Sequence, residues 1–255
     1  MKFKSLIVVL LVAFAVFPVL AQEDTTNSVS FNSFSMSFDS SLASSVNISQ
    51  MPGDPIDSPF VPEVAHTQFL FYNEYPAPES FLDANGAVRV YRTADLAGNE
   101  SRESQLVNLQ ALLSQRADLT PNMVMDAGAM NALPFLPVFP AGQIIRARAQ
   151  YVETAQVSGV AYLTVFREDT GPFIASEILY TFQGLSADGS YYVSAIFHAN
   201  PAMLPTEYPV IDPTTFDMAA YGNDIIAQLN AAAPEDFSPS LTTLDTVIQS
   251  FSFAH

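Results

Sequence analysis

Four strand patterns follow one another between residues 143 and 200, and they constrain the fold more than any other part of the chain. Polar and apolar side chains alternate along Ile144–Val152, which is typical of a strand with one buried face. Val160–Arg167 and Ile174–Phe182 are rich in β-branched and aromatic residues, and Tyr191–Ala199 completes the series. Because the connections are short, we predict that successive strands are antiparallel.

The last two of these strands are predicted to form a hairpin, since Asp188-Gly189 is a strong turn signal. Pairing Phe182 with Tyr191 produces two different faces. The apolar face carries Ile178, Tyr180, Phe182, Tyr191, Val193 and Phe197. The polar face carries Glu177, Thr181, Tyr192, Ser194 and His198. A slip of one residue would turn the apolar set to water, so the choice of faces is strongly specified.

The remaining elements are grouped by type along the chain, which predicts an α+β fold. Further strands are predicted at Phe31–Phe38, Val46–Gln50, Thr67–Asn73 and Val88–Arg92. Helices are predicted at Glu100–Arg116, at Phe216–Ala232, and after a cap at Ser238 with Pro239 in the first helical position. We therefore expect residues 31–255 to form one domain, an antiparallel sheet of about six strands with helices packed mainly on one face.

The first 21 residues have the pattern of a secretory signal peptide. Lys2 and Lys4 precede an apolar run, Leu6–Leu20, and Val19-Leu20-Ala21 resembles a cleavage site. Cleavage after Ala21 would leave a secreted or periplasmic protein, with residues 22–30 as a disordered leader. A second long apolar run is missing from the sequence, so no membrane insertion is expected after cleavage.

Composition excludes several kinds of chemistry. The cleaved chain would have seven arginines and 26 acidic residues, a net charge of −19, which disfavours nucleic acid as a partner. The absence of cysteine excludes thiol nucleophiles, zinc–thiolate sites and iron–sulfur clusters, and it favours bacterial export over a disulfide-stabilised scaffold. No lysine follows Lys4, which excludes Schiff-base chemistry and a P-loop. We expect no cofactor.

The predicted polar face supplies residue types that suit nucleophilic catalysis. His198 shares this face with Glu177 and Ser194, and a Ser–His–Glu arrangement could act as a hydrolase. The alternative is that these side chains are ordinary structural groups beneath a cover. His66 follows Glu63 at a spacing of three residues, but a surface polar residue at the start of a strand is preferred there over a metal ligand.

Arginines on neighbouring predicted strands suggest an anion site. Arg146, Arg148 and Arg167 could grip an anionic ligand with paired hydrogen bonds, or they could pair with carboxylates of the protein itself. Together with His198 they are the predicted ligand-binding residues. We predict no catalytic residues and no metal ligands.

Thr120–Gly142 is both apolar and rich in proline, so it is predicted to be either a loop packed over the core or a mobile flap over a cleft. Its segment Leu133–Phe139 would suit docking to another protein if its side chains were exposed.

Three stretches resemble a family of secreted bacterial α+β proteins that has no assigned activity. They are Phe38–Ala43, Leu133–Pro137 and Tyr180–Val193. The order at the end of the chain, a hairpin followed by a last helix that runs into Ile248–Phe253, is similar to the PsbP/Mog1-like fold. A fold-level resemblance implies no function.

These observations favour an exported, non-catalytic binding or scaffold protein whose partner is an unknown small molecule or protein. The hydrolase that uses His198, Glu177 and Ser194 is one alternative, and the docking module at Leu133–Phe139 is another.

Overall fold

The computed structural model describes residues 25–55, 62–125, 132–169, 171–212 and 214–254. The predicted signal peptide and residues 22–24 lie outside these ranges. The strands are β1 (Thr26–Phe31), β2 (Phe34–Asp39), β3 (Ser45–Met51), β4 (His66–Tyr72), β5 (Gly86–Arg92), β6 (Gly142–Glu153), β7 (Val157–Arg167), β8 (Leu179–Ser186), β9 (Tyr191–His198) and β10 (Ser252–Phe253). The helices are α1 (Glu100–Gln115), α2 (Met218–Ala231) and α3 (Leu241–Gln249).

In the described ranges the strands form two antiparallel sheets. The larger has seven strands in the order β3-β4-β5-β9-β8-β7-β6, and the smaller has three in the order β1-β2-β10. The α+β prediction is confirmed, with one more strand in the main sheet than expected. The four strands that dominate the sequence pattern, β6 to β9, lie side by side as one half of the larger sheet.

The register between β8 and β9 differs from the predicted one. Phe182 lies opposite Ala195 rather than Tyr191, because β8 continues to Ser186 and the turn is confined to the residues just after it. β8 also begins later than predicted, since Ala175–Glu177 forms a short 3-10 turn. The register error is an even number of residues, so the strand residues of β8 and β9 keep their predicted faces, while Glu177 lies outside the strand.

One face of the main sheet is covered by α2, α3 and the small sheet. The alternating residues Phe34, Met36 and Phe38 of β2 are buried there, as are Leu229 of α2 and Leu244 of α3. The prediction of a disordered leader is wrong for residues 26–30, which belong to β1. These polar residues are ordered by a complete backbone ladder with β2, in which Thr26 pairs with Asp39, so side-chain polarity was a poor guide.

The opposite face of the main sheet is covered by α1 and by residues 132–139, which we call the covering loop. Leu109 of α1 and Leu133, Phe135 and Leu136 of the loop are buried in a second core on this face. Two of the three described helices therefore lie on one face and one on the other. None of the described helices is both long and apolar enough to cross a lipid bilayer.

The last helix begins later than its sequence suggested. Its cap is Ser240, whose side chain accepts a hydrogen bond from the backbone of Thr243 at 3.1 Å, and not Ser238. Ser238 is engaged elsewhere, because its backbone N–H donates to Ala199 and its carbonyl accepts from the Asn200 side chain. At α1 the cap is Asn99, whose side chain accepts hydrogen bonds from the backbone N–H groups of Ser101 and Arg102.

Candidate functional site

The structure does not bring His198, Glu177 and Ser194 together. His198 Nδ1 lies 3.0 Å from the carbonyl oxygen of Ser176, and Nε2 lies 2.9 Å from that of Leu82. Glu177 accepts a hydrogen bond from the backbone of Ile174. Ser194 is four residues from His198 on the same strand, which separates their Cα atoms by about 13 Å. The described hydrogen bonds of these three side chains go to the backbone or to other side chains and not to one another.

The three predicted arginines are held by different parts of the chain. Arg148 donates to the carbonyl of Ala232 at 2.7 Å, at the end of α2, where a cation also interacts favourably with the helix dipole. Arg167 pairs with Asp169 at 2.8 Å and lies 3.5 Å from Glu177. Arg146 is fully buried.

A register shift in β6 explains why Arg146 and Arg148 do not share one surface. The shift lies between Ala147 and Gln150 and interrupts the alternation on which the prediction depended. Arg146 donates from Nε to the carbonyl of Asn122, far in sequence from the α2 partners of Arg148. Ligand binding by these arginines and by His198 stays a prediction.

The polar face of β8 and β9 holds the covering loop in place. Gln183 lies at its centre, fully buried. Its Oε1 accepts from the Leu136 backbone N–H at 3.0 Å and from the Tyr192 hydroxyl at 2.8 Å. Its Nε2 donates to Thr181 at 2.7 Å and to Ser194 at 2.9 Å. Every hydrogen-bonding position of a side-chain amide is occupied.

Other buried side chains bind the covering loop in the same way. Gln143 accepts from the Leu133 N–H at 2.8 Å, and the Tyr162 hydroxyl donates to the Pro134 carbonyl at 2.7 Å. An irregular segment must find such partners when its backbone is buried. The described part of the predicted packed loop or flap is thus packed. Leu133, Phe135 and Leu136 are at most 4 % exposed, so they are not available for docking to a partner.

A cavity of about 140 Å³ opens where the covering loop meets α1 and the segment before β4. Its described lining combines apolar and charged residues: Asp54, Pro62, Glu63, Val64, Tyr91, Leu96, Arg102, Leu136, Pro137 and Val138. Because the described residues line this open cavity with charged groups of both signs, we take it as the candidate functional site.

Glu63 is positioned by two strands of the sheet. Its Oε1 accepts from Arg89 at 2.9 Å and from the Tyr91 hydroxyl at 2.8 Å, and Arg89 in turn donates to Gln68 at 3.0 Å. Arg89 is 6 % exposed. The Glu63 backbone is also tied to Asp54 by two hydrogen bonds. Glu63 Oε2 accepts no hydrogen bond from the part of the chain that the structure describes, so one oxygen is left for a ligand.

His66 lies beneath this ion pair and is buried, which corrects the prediction of a surface residue. Its Nδ1 lies 2.8 Å from the Val64 carbonyl and its Nε2 is 3.9 Å from Glu63 Oε1. The approach occurs without a helix, since residues 62–65 have no regular secondary structure and β4 begins at His66. Burial lowers the pKa of His66 and raises that of the neighbouring Tyr91 hydroxyl. Among the described residues, no three histidine or carboxylate side chains are grouped so as to hold a metal ion.

Arg102 approaches the cavity from the first turn of α1, which Asn99 caps. Its Nη1 donates to the Pro62 carbonyl at 2.7 Å. Its Nε is buried and has no partner among the described residues, nor does any described carboxylate form an ion pair with it. Arg102 therefore lines the cavity with a guanidinium that is partly withdrawn from water and keeps donors without a partner among the described residues.

Sequence reasoning missed Glu63, Arg89, Tyr91 and Arg102. One signal was available, since Arg89 lies between Val88 and Val90 inside a largely apolar strand, and a buried charge needs a partner. The sequence does not identify Glu63 as the partner of Arg89, because the two residues are 26 positions apart in the chain.

Comparison of the chain with protein-family models, with curated proteins and with solved structures found no match.

Proposed function

We propose that this protein is an exported, non-catalytic binding protein and that the cavity between Glu63 and Arg102 is its ligand-binding site. The observation that carries the proposal is that the Arg102 guanidinium forms no ion pair with the described carboxylates and that its buried Nε has no partner among the described residues. A partly buried charge without a partner is costly, and an acceptor group on a ligand would supply the missing hydrogen bonds. The chain has seven arginines and 26 acidic residues, so a guanidinium that has no carboxylate partner among the described residues is unexpected.

The size of the cavity limits the ligand. A volume of about 140 Å³ is close to that of an engineered cavity of roughly 150 Å³ that binds benzene. The ligand, or the part of it that enters, therefore has on the order of six to eight non-hydrogen atoms. Leu96, Leu136 and Val138 provide apolar contacts, while Glu63 and Arg102 provide orientation, the usual division of labour in a small-molecule site.

The groups around the cavity support binding rather than catalysis. Its described lining contains no serine, threonine or histidine that could act as nucleophile or base. The Tyr91 hydroxyl is kept protonated by burial, and it already donates to Glu63. The Gln183 side chain beneath the covering loop has all its hydrogen-bonding positions occupied, so supporting the loop is enough to explain its presence.

The test is identification of the natural ligand. The protein is incubated with small-molecule extract from the culture medium of its source, and retained compounds are identified by native mass spectrometry. We expect one compound to be retained by the wild type and by the control Arg92→Met, which removes an exposed arginine from the end of β5. Arg102→Met and Val138→Trp, which fills the cavity, should lose it. Retention by Arg102→Met equal to that of the wild type, or no retained compound at all, would refute the proposal.

A further inference from the structure

The charges around the cavity indicate which class of ligand it takes. We infer that it binds a small zwitterion that carries an ammonium group and a carboxylate, that is, a molecule of the amino-acid class. This inference rests on the proposed function. It follows from the opposite signs of the two walls and from the hydrogen-bonding positions that each wall leaves unused.

One wall is suited to an ammonium group. Arg89 and Tyr91 both bind Glu63 Oε1, so they hold the carboxylate in one orientation and leave Oε2 as an acceptor. Asp54 lines the same cavity and is tied to the Glu63 backbone. Two carboxylates against the single guanidinium of Arg89 leave this wall with one net negative charge.

The other wall is suited to a carboxylate. The Pro62 carbonyl holds Arg102 by Nη1, and the opposite edge of the guanidinium, formed by Nε and Nη2, donates no hydrogen bond to the described residues. Two parallel N–H groups on one edge match the two oxygens of a carboxylate. Arg102 makes no ion pair with the described Glu63 or Asp54, although all three line one cavity.

The charge balance then favours a ligand that is neutral overall. Asp54 and Glu63 offset Arg89 and Arg102, so the four side chains together carry no net charge. A lone anion would satisfy Arg102 and face the carboxylates without compensation, and a lone cation would do the reverse. A zwitterion satisfies both walls and leaves no charge unpaired in a partly enclosed site.

The test compares probes of similar size and different charge. Binding of 2-aminobutanoate and 4-aminobutanoate is measured by calorimetry or protein NMR against pentanoate, which lacks the ammonium, and pentylamine, which lacks the carboxylate. We expect at least one zwitterion to bind at least tenfold more tightly than either singly charged probe. Arg102→Met should weaken zwitterion binding tenfold or more, Arg102→Lys should weaken it less, and Arg92→Met should leave it unchanged.

A second set of variants tests the acidic wall. Glu63→Gln retains an acceptor for Arg89 and Tyr91 and removes the charge, so it should weaken the zwitterion and not pentanoate. Asp54→Asn changes an exposed residue and serves as a second test if Glu63→Gln fails to fold. It should also weaken binding of the zwitterion and not of pentanoate. Pentanoate that binds as tightly as the zwitterions, with dependence on Arg102, would overturn the zwitterion inference and leave the binding function standing.

A further outcome separates the two proposals. If no probe binds but the wild type retains a compound that Arg102→Met loses, the inference on ligand class is overturned alone. If no probe binds and no compound is retained, both proposals are overturned.

Discussion

Gln183 offers the most informative test of how the covering loop is held over the sheet. Gln183→Met keeps the length of the side chain and removes all four hydrogen bonds of the amide. Ser194 and Thr181 each keep a bond to a backbone carbonyl, of Leu136 and Ala195 respectively. The buried N–H of Leu136 and the buried hydroxyl of Tyr192 have no other described partner and become unsatisfied.

The expected loss of stability follows from these two orphaned donors. Each buried donor without a partner costs about 1–3 kcal/mol, so the free energy of unfolding should fall by about 4 kcal/mol. For a chain of this size, with a urea m value of about 3 kcal/mol/M, the unfolding midpoint should fall by about 1.3 M. Gln110→Met makes the same chemical change at an exposed position of α1 and should shift the midpoint by less than about 0.2 M.

A double variant distinguishes hydrogen bonding from packing. Tyr192→Phe removes one of the orphaned donors, so Gln183→Met combined with Tyr192→Phe should recover about 1–2 kcal/mol relative to Gln183→Met alone. A loss below about 1 kcal/mol in Gln183→Met, or a double variant less stable than the single one, would refute the claim that this network fixes the covering loop.

Two further predictions concern other parts of the same sheet. Gly159→Ala would place a Cβ atom 2.4 Å from the carbonyl oxygen of Gln183, so it should lower the free energy of unfolding in urea by about 2 kcal/mol. The control Gly171→Ala has room for its Cβ and should lower it by less than about 0.5 kcal/mol. Equal effects of the two substitutions would contradict this explanation. Burial lowers the pKa of His66, so below pH about 6.5 the unfolded chain binds a proton that the folded ring does not. The free energy of unfolding should therefore fall as the pH drops from about 6.5 toward the lower pKa of the folded state, by at most about 1.4 kcal/mol per pH unit. His66→Gln should show a flatter dependence of stability on pH between about 6.5 and 5.5. Identical pH dependences would show that His66 is not buried in its neutral form.

Much of the fold was predictable from local patterns. Period-two alternation identified β6 to β9 and the two faces of the β8–β9 hairpin, and period-3.6 spacing identified α1, α2 and α3 to within a few residues. These predictions succeeded because side-chain direction repeats along a strand or helix, and burial of one face selects the repeat. The predicted register of β8 and β9 was wrong, because the length of the turn depends on where the hydrogen-bond ladder stops. Gly184 and Gly189 near the turn permit either a long or a short turn.

The predictions for β1 and for the start of α3 were wrong for a related reason. β1 is ordered by pairing of its backbone with β2, which its polar side chains do not signal. Ser238 resembles a cap until its backbone is engaged by residues 199 and 200, almost 40 positions earlier. In both cases the partner that decides the local conformation is distant in sequence.

The sequence by itself determined the α+β class, the faces of the central strands, the absence of thiol chemistry and the strongly acidic charge, because composition and periodicity are properties of the chain alone. Only the tertiary structure decided that Glu63 and Arg102 line one cavity and that Arg89 pairs with Glu63. It also decided that Ser194 supports a loop and lies apart from His198. These contacts join residues 26 to 58 positions apart, and their geometry is set by strand order and by the path of the covering loop. Local sequence patterns cannot specify such contacts, since the same pattern is compatible with many different distant partners.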